Sequence, residues 1–473
     1  MVNLDTTTDI APTDPVDQQP TIGLIGMGAM GAMYAKHLSD AGWKKISVCD
    51  LPAKYESLKA AYEGVPGVTV YPDGHAVSRI SDFIMYSVEA EHIGRVVAQY
   101  GPSTKVGSIV SGQTSVKAPE KEAFEAHLPA DVHIVSLHSL HGPTVSPVGQ
   151  PLVLIKHRAP DAALRFVENI FRCFRSRYVY LTYEDHDLVT ANVQAVTHAA
   201  FLTMGTAWAS SLSYPWEHGH YVGGIETVKV NIMLRIYSNK WHVYAGLAIL
   251  NPSARVQIRQ YARSAGELFK LMLEGQEGAL RARVYAARRT VFGYGEGDAD
   301  GLEGGEDEAK PKPRTPIFLT EDVLDQFTIG GPPKAATGST TPPPCNSHLA
   351  LLAMVDCWAR LSIQPFDHLS LAATPVFRLW IGVAEYLFRA RSRLDAALRA
   401  ALYDTRHRAD DLEFVVGARG WSQCVEFGSF ELYRRRFEET SGFFESRFEE
   451  ANRIGGAMIR AVVESGAGAG AGA

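Results

Sequence analysis

From Thr21 to about Thr182, short apolar runs alternate with amphipathic ones. The runs Thr21–Ile25, Ile46–Cys49, Phe83–Val88, Ser108–Val110, His133–Leu137, Leu152–Ile155 and Tyr178–Leu181 have the length and apolar character of strands. Between several of them lie helical patterns, as in Ala29–Ala41 and Ala90–Tyr100. Alternation of this kind predicts an α/β domain over residues 21–182, with parallel strands and helices on the faces of the sheet.

The pattern changes near Tyr183. From there to residue 293 the strand signals fade and all-α patterns dominate; Ala254–Val291 reads as one or two amphipathic helices. Residues 294–345 are acidic and Gly-rich, then Pro/Thr-rich, and predict a partly disordered linker. The apolar island Ile317–Phe327 lies within it. Residues 346–463 predict a second helical region. Residues 464–473 form a Gly-Ala tail expected to be flexible, and residues 1–20 a polar leader expected to be disordered. The segments His198–Trp208 and His348–Trp358 each enclose an apolar run between a His and a Trp at the same spacing. The pair reads either as a degenerate repeat or as chance similarity between two apolar helices.

Composition narrows the class. In 473 residues, 46% are hydrophobic and 21% charged, enough to bury a large core. A net charge of -6 argues against a general nucleic-acid or anionic-membrane binder, because it offers phosphates no broad basic surface. The five cysteines are scattered without CxxC spacing, which argues against zinc or a disulfide framework and for a reducing compartment. No apolar stretch is long enough to span a bilayer, and the N-terminus lacks the features of a signal peptide or presequence. These features predict a cytoplasmic protein.

Candidate chemistry begins at Gly26-Met27-Gly28-Ala29-Met30-Gly31. This GxGxxG follows a strand, opens a helix, and has Asp50 at the end of the next strand. That is the context of a Rossmann-type dinucleotide site. Gly26 permits a tight turn, Gly28 lets backbone approach a pyrophosphate, and Gly31 lets helix and strand pack closely. The helix N-terminus offers free N–H groups to the phosphates. Asp50 stands where a carboxylate binds the ribose 2′-hydroxyl of NAD; a 2′-phosphate there needs a neutralising base such as Lys54.

Four further stretches carry candidate chemistry. Gly112–Lys117 contains Ser115 and follows one strand; Leu137–Pro143 contains His138 and His141 and follows another. Both lie at strand C-termini, where open α/β sheets bind ligands. His186 and His198 are 12 residues apart in a helical stretch, a spacing that allows a shared face. Arg235 interrupts an apolar pattern. Each has a plain structural alternative: a core histidine, a helix-capping serine, an arginine paired with a nearby carboxylate. As a set they supply a base, a hydroxyl and an anion clamp.

The stretches IGLIGMGAMG, SGQTSVK, LHSLHGP, YEDHDLVTANVQAVTHAAF and VKVNIMLRIYSNKWHVYAGLAILNPSA resemble prephenate dehydrogenases, in particular the fungal enzymes of tyrosine biosynthesis. The resemblance covers most of residues 20–292 and continues more loosely through NSHLALLAMVD and DDLEFVVGAR. It implies a Rossmann-type domain followed by helical substrate and dimerisation regions, with prephenate as substrate. It implies NADP as cofactor, against the lean to NAD that Asp50 alone suggests. It further implies catalytic roles for His138 and Ser115, and substrate contacts for His198, Arg235 and, in support, His186. His141 lines the pocket or holds the turn. Ser139 and Thr114 stand where many relatives have Pro and Gly, which leaves the local backbone geometry open. The partner arrangement is either a homodimer or an intrachain pseudo-dimer in which residues 346–463 replace a second subunit.

Two other readings compete. The start of the chain also resembles 3-hydroxyacid dehydrogenases, but these carry a catalytic lysine on the first helix of the second domain, and no lysine occurs between Tyr183 and Ile225. A catalytically silent dinucleotide sensor is disfavoured by the intact set His138, Ser115, His198 and Arg235.

Overall fold

The strands β1 (Ile22–Ile25), β2 (Ile46–Cys49), β4 (Phe83–Tyr86) and β5 (Ile109–Gly112) are buried at every residue. Strands covered on both faces read as unbroken apolar runs, which is why they are visible in the sequence. They belong to an eight-stranded sheet in a computed structural model that describes residues 9–294, 327, 329, 346–368 and 375–469. The sheet is completed by β3 (Val68–Val70), β6 (His133–Ser139), β7 (Pro151–Lys156) and β8 (Arg177–Tyr180), in the order β3-β2-β1-β4-β5-β6-β7-β8.

The sheet is parallel except at one step. β7 runs antiparallel to β6, pairing Val153 with His138, and β8 is again parallel to β7. The expectation of an all-parallel sheet is therefore corrected at this pair. No helix separates the two strands, and a parallel return needs a crossover, normally helical. The turn that follows His138 is this β6–β7 connection.

One face packs on α1 (Ala29–Ala41) and α6 (Asp161–Phe171), with Tyr34, Leu38, Phe166 and Phe171 in the core. The other packs on α3 (Gly74–Ile80), α4 (Ile93–Tyr100) and α5 (Ala118–His127) through Val77, Val97 and Phe124. The expected leader lies outside the described residues up to residue 8, but from residue 9 it is ordered. Ile10 is buried, and the Gln19 amide bonds the carbonyls of Pro12 and Asp14.

The first compact unit extends to Thr190, so the boundary falls after the change of pattern at Tyr183. α7 (Tyr183–Thr190) belongs to the sheet domain because its Asp187 carboxylate caps the N-terminus of α5. A π-helical turn, Ala191–Ala195, then leads into α8 (Val196–Ser210). Ordinary α-helical spacing does not carry across that turn, so the shared-face argument for His186 and His198 does not hold as stated.

The second unit, from Ala191, is all-α among the described residues. α9 (Gly224–Tyr237), α10 (His242–Leu250), α11 (Pro252–Leu273) and α12 (Glu277–Phe292) follow α8. After the linker come α13 (Leu349–Arg360), α14 (Pro375–Arg389), α15 (Arg391–Tyr403), α16 (Arg408–Glu426), α17 (Phe430–Phe444) and α18 (Phe448–Ala469). The two helical regions form one unit: α13 packs along α11, and α16 along α8. Arg283 grips Asp356 with two bonds of 2.7 Å. The His/Trp similarity is only partly mirrored: His198 lies within α8, whereas His348 precedes α13 in a left-handed conformation.

Of the expected linker at 294–345, residues 295–326, 328 and 330–345 lie outside the described residues. The Phe327 carbonyl accepts from Asn231 at 2.9 Å, and Ile329 is buried. The Gly-Ala tail is helical as far as Ala469, which corrects the expected flexibility from 464. Alternating alanines, the strongest helix formers, offset the glycines.

Candidate active site

Backbone geometry accounts for the glycine turn. Gly26 has φ +101°, and a Cβ there would stand 2.3 Å from the Ser87 carbonyl oxygen; a Cβ on Gly31 would stand 2.1 Å from that of Gly26. A Cβ on Gly28 would meet nothing within 4 Å. Gly26 and Gly31 are thus packing requirements, while Gly28 keeps one side of the turn open. Gly28 is also the N-cap of α1, and no side chain caps that helix or places an acid in its first turn. The first N–H groups of α1 are therefore presented without a competing anion, which fits a dinucleotide pyrophosphate.

Asp50 holds the turn. It accepts from the Met27 N–H at 3.0 Å, the Leu51 N–H at 2.7 Å and Lys54 Nζ at 3.3 Å. Both oxygens are engaged by the protein, and the Lys54 side chain, 57% exposed, brings a cation to the same rim.

The loop after β5 is fastened from below. Lys117 and Glu120 are fully buried and paired at 2.9 Å. Lys117 Nζ also donates to the carbonyls of Gly112 (3.1 Å) and Leu137 (2.9 Å) and to Ser136 Oγ (3.1 Å). The Thr114 hydroxyl donates to Glu120 at 2.6 Å and also bonds the Val116 carbonyl. Burial pulls the Lys117 ammonium down and Glu120 pushes it back up. A buried pair of this kind is a structural commitment, since losing either partner strands the other. It ties the ends of β5 and β6 together immediately before His138. Ser115 is half-buried in this loop, and the structure does not bond its hydroxyl to His138.

His138, 8% exposed, closes a chain of three side chains. Its Nδ1 lies 2.8 Å from Nε2 of the fully buried His186. Nδ1 of His186 lies 2.9 Å from Asp187 Oδ1. The Asp187 carboxylate also accepts from the N–H groups of Lys117 (2.7 Å) and Ala118 (2.8 Å). All three of these partners present N–H groups, so Asp187 acts here as acceptor. His186 must then carry its proton on Nδ1 and accept at Nε2. His138 must donate from Nδ1, which leaves its own Nε2 lone pair available as a base. Burial, with the charges of His186, Lys117 and His141 behind it, holds His138 well below its ordinary value and keeps it neutral. His141 donates from Nδ1 to the Gly142 carbonyl at 3.0 Å, and its Nε2 is buried without a partner.

His198 and Arg235 belong to the helical unit, where Tyr244 connects them. The rings of His198 and Tyr244 meet edge-on, with centroids 4.8 Å apart. Asn239 donates to the Tyr244 hydroxyl at 2.9 Å and to the Arg235 carbonyl at 3.0 Å. Burial raises the Tyr244 phenol, and the Asn239 bond and then the Arg235 charge oppose it. Burial lowers His198 to about 4, and its Nδ1 has no hydrogen-bond partner. Arg235 is half-buried in α9, and among the described residues no carboxylate pairs with it. The plain alternative of a locally satisfied arginine is thus not met.

Relatives of the chain bear on these residues. The chain is 50% identical over 444 residues to the probable prephenate dehydrogenase [NADP(+)] of Schizosaccharomyces pombe, covering 94% of this chain and 98% of that one. It belongs to the prephenate dehydrogenase family. The prephenate dehydrogenase [NADP(+)] of Saccharomyces cerevisiae is 48% identical over 446 residues, 93% of this chain and 94% of that one. Residues 21–135 match the NAD binding domain of 6-phosphogluconate dehydrogenase, and residues 195–464 match a 6-phosphogluconate dehydrogenase C-terminal domain. Among solved structures, the Aquifex aeolicus prephenate dehydrogenase with hydroxyphenyl propionate and NAD+ aligns at 20% identity and TM-score 0.44, over 55% of this chain and 93% of that one. Among the described residues of this family member, no helix is long and apolar enough to cross a membrane.

Sequence reasoning missed Asp187, Tyr244, Asn239 and the Lys117–Glu120 pair as parts of the site. The adjacent His186-Asp187 dipeptide was the one available signal. The others depend on which helices meet.

Proposed function

We infer that this chain catalyses oxidative decarboxylation of prephenate to 4-hydroxyphenylpyruvate and CO2 with NADP, the step that leads to tyrosine. The observation that carries this reading is the chain His138–His186–Asp187, which presents one neutral imidazole lone pair beside a dinucleotide-binding turn. The oxidised nicotinamide, when bound, accepts hydride from C4 of the substrate. His138 Nε2 takes the proton of the C4 hydroxyl, and His186 and Asp187 stabilise the imidazolium that forms. Ser115 bonds the same hydroxyl, an assignment supported by the absence of any bond from it to His138. Arg235 grips a substrate carboxylate with its planar fork, and neutral His198 supplies a further hydrogen bond. His141 offers its free Nε2 to the pocket.

Gly26 to Gly31 and the N-terminus of α1 hold the pyrophosphate. Lys54 meets the 2′-phosphate that separates NADP from NAD, while Asp50 serves to anchor the turn. The chain works in the cytoplasm, in keeping with the free state of Cys49, Cys173, Cys357 and Cys424. Because α13 and α16 pack into the same unit as α8 and α11, we favour the intrachain pseudo-dimer over a homodimer. The test is absorbance at 340 nm after mixing the protein with prephenate and either cofactor. Growth with NADP, with 4-hydroxyphenylpyruvate as product, supports the reading; no growth with either cofactor defeats it.

A further inference from the structure

A second polar cluster lies in the helical unit, and the reaction above does not use it. His407 is the N-cap of α16, and Asp410 lies in that helix's first turn. His220 follows the 3-10 helix Pro215–His218. One ligating atom from each of these three side chains lies within 4.8 Å of the other two. His407 is 6% exposed, and its buried Nδ1 has no hydrogen-bond partner. That nitrogen stands 4.0 Å from Asp410 Oδ2. An orphaned buried nitrogen facing a carboxylate calls for an explanation.

The surroundings hold these groups in place. The Tyr221 hydroxyl donates to Asp410 Oδ2 at 3.0 Å, as an outer partner orients a ligating carboxylate. The ring of His407 is flanked by those of His220 and Tyr221, with centroids at 5.4 and 5.2 Å. Tyr221 itself has φ +52°, a left-handed conformation that costs a residue with a side chain. The strain falls beside His220 and points it and Tyr221 toward the same spot.

We propose that His220, His407 and Asp410 bind a borderline divalent transition-metal ion, zinc being the natural occupant. Two imidazoles and one carboxylate suit zinc and its neighbours, whereas calcium and magnesium prefer oxygen ligands alone. Ligands of a tetrahedral zinc stand about 3.4 Å apart, given bonds of about 2.0–2.1 Å. Closing from the observed spacing needs about an ångström of side-chain rotation, and His220 and Asp410 are only half-buried. The bound ion satisfies His407 Nδ1 and ties the loop at 215–221 to the start of α16. Its fourth position is open to water.

The experiment uses the full-length chain, freed of metal with a chelator, and Co2+ as a spectroscopic probe. One equivalent should bind and give the visible absorption of a four-coordinate ion, and Zn2+ should displace it. Asp410→Asn and His407→Gln should each weaken binding at least tenfold. His220→Asn, at a half-buried position, should do the same while prephenate turnover stays at the wild-type level, which marks it as folded. Zn2+ should raise the thermal midpoint of the wild type and not that of the three variants. Absence of stoichiometric Co2+ binding below millimolar concentration overturns the proposal, as does binding undiminished in all three variants.

Discussion

His138 Nδ1 lies 2.8 Å from His186 Nε2, and what stands on the far side of His186 decides how protons are placed on both rings. Asp187 stands there, at 2.9 Å. Asp187→Asn keeps the volume but presents N–H groups where an acceptor is needed, so one contact to the α5 N-terminus or to His186 is lost. We expect kcat for prephenate to fall by about 100-fold or more, with the Michaelis constants little changed. Steady-state kinetics of the variant check this; a proportional rise in KM with kcat preserved contradicts the ordering role.

Lys54 and Asp50 make the cofactor claim testable. Lys54→Ala should raise KM for NADP by about tenfold, the equivalent of one charge-assisted hydrogen bond, and leave KM for NAD nearly unchanged. Equal effects on both cofactors would show that Lys54 does not read the 2′-phosphate.

Arg235 is half-buried and has no carboxylate partner among the described residues. Arg235→Gln should raise KM for prephenate by about 30-fold, in keeping with a charge-assisted contact of about 2 kcal/mol. The cofactor constants should hold. A change confined to the cofactor would remove Arg235 from the substrate.

The histidines also predict the acid response. Burial is the main cause that depresses His138, His186 and His198, the last to about 4 from an ordinary 6.5. Each binds its proton more weakly in the folded chain than in the unfolded one. Below pH 6.5 the unfolded chain gains protons that the folded chain refuses, so stability is full above that value and is lost as pH falls. For His198 the loss spans pH 6.5 to about 4, at up to about 1.4 kcal/mol per pH unit. Thermal midpoints should therefore drop between about pH 7 and pH 5, and drop less in His198→Asn. The acid limb of kcat/KM should lie below pH 6.5, since His138 stays neutral to lower pH than a free imidazole.

What the sequence made legible was local. The glycine turn, α1 and β2 are adjacent in the chain, and their roles follow from spacing alone. His138 was readable because it ends a strand in a dinucleotide-binding sheet. The reversal of β7 was not, because an apolar run carries no direction; it depends on the connection after His138. β3 escaped because it is short and only partly buried. The boundary was placed at Tyr183 because helical periodicity starts there, yet one carboxylate, Asp187, binds α7 to the sheet domain. Tyr244 looked like any aromatic in an apolar helix until α8 and α10 brought it against His198.

The central claim is that His138 Nε2 is the base that takes the hydroxyl proton. The most direct measurement is single-turnover absorbance at 340 nm for His138→Asn, with saturating prephenate and NADP. The account predicts a rate about 1,000-fold or more below wild type, with NADP binding unchanged by fluorescence titration. A single-turnover rate within a few-fold of wild type would contradict it.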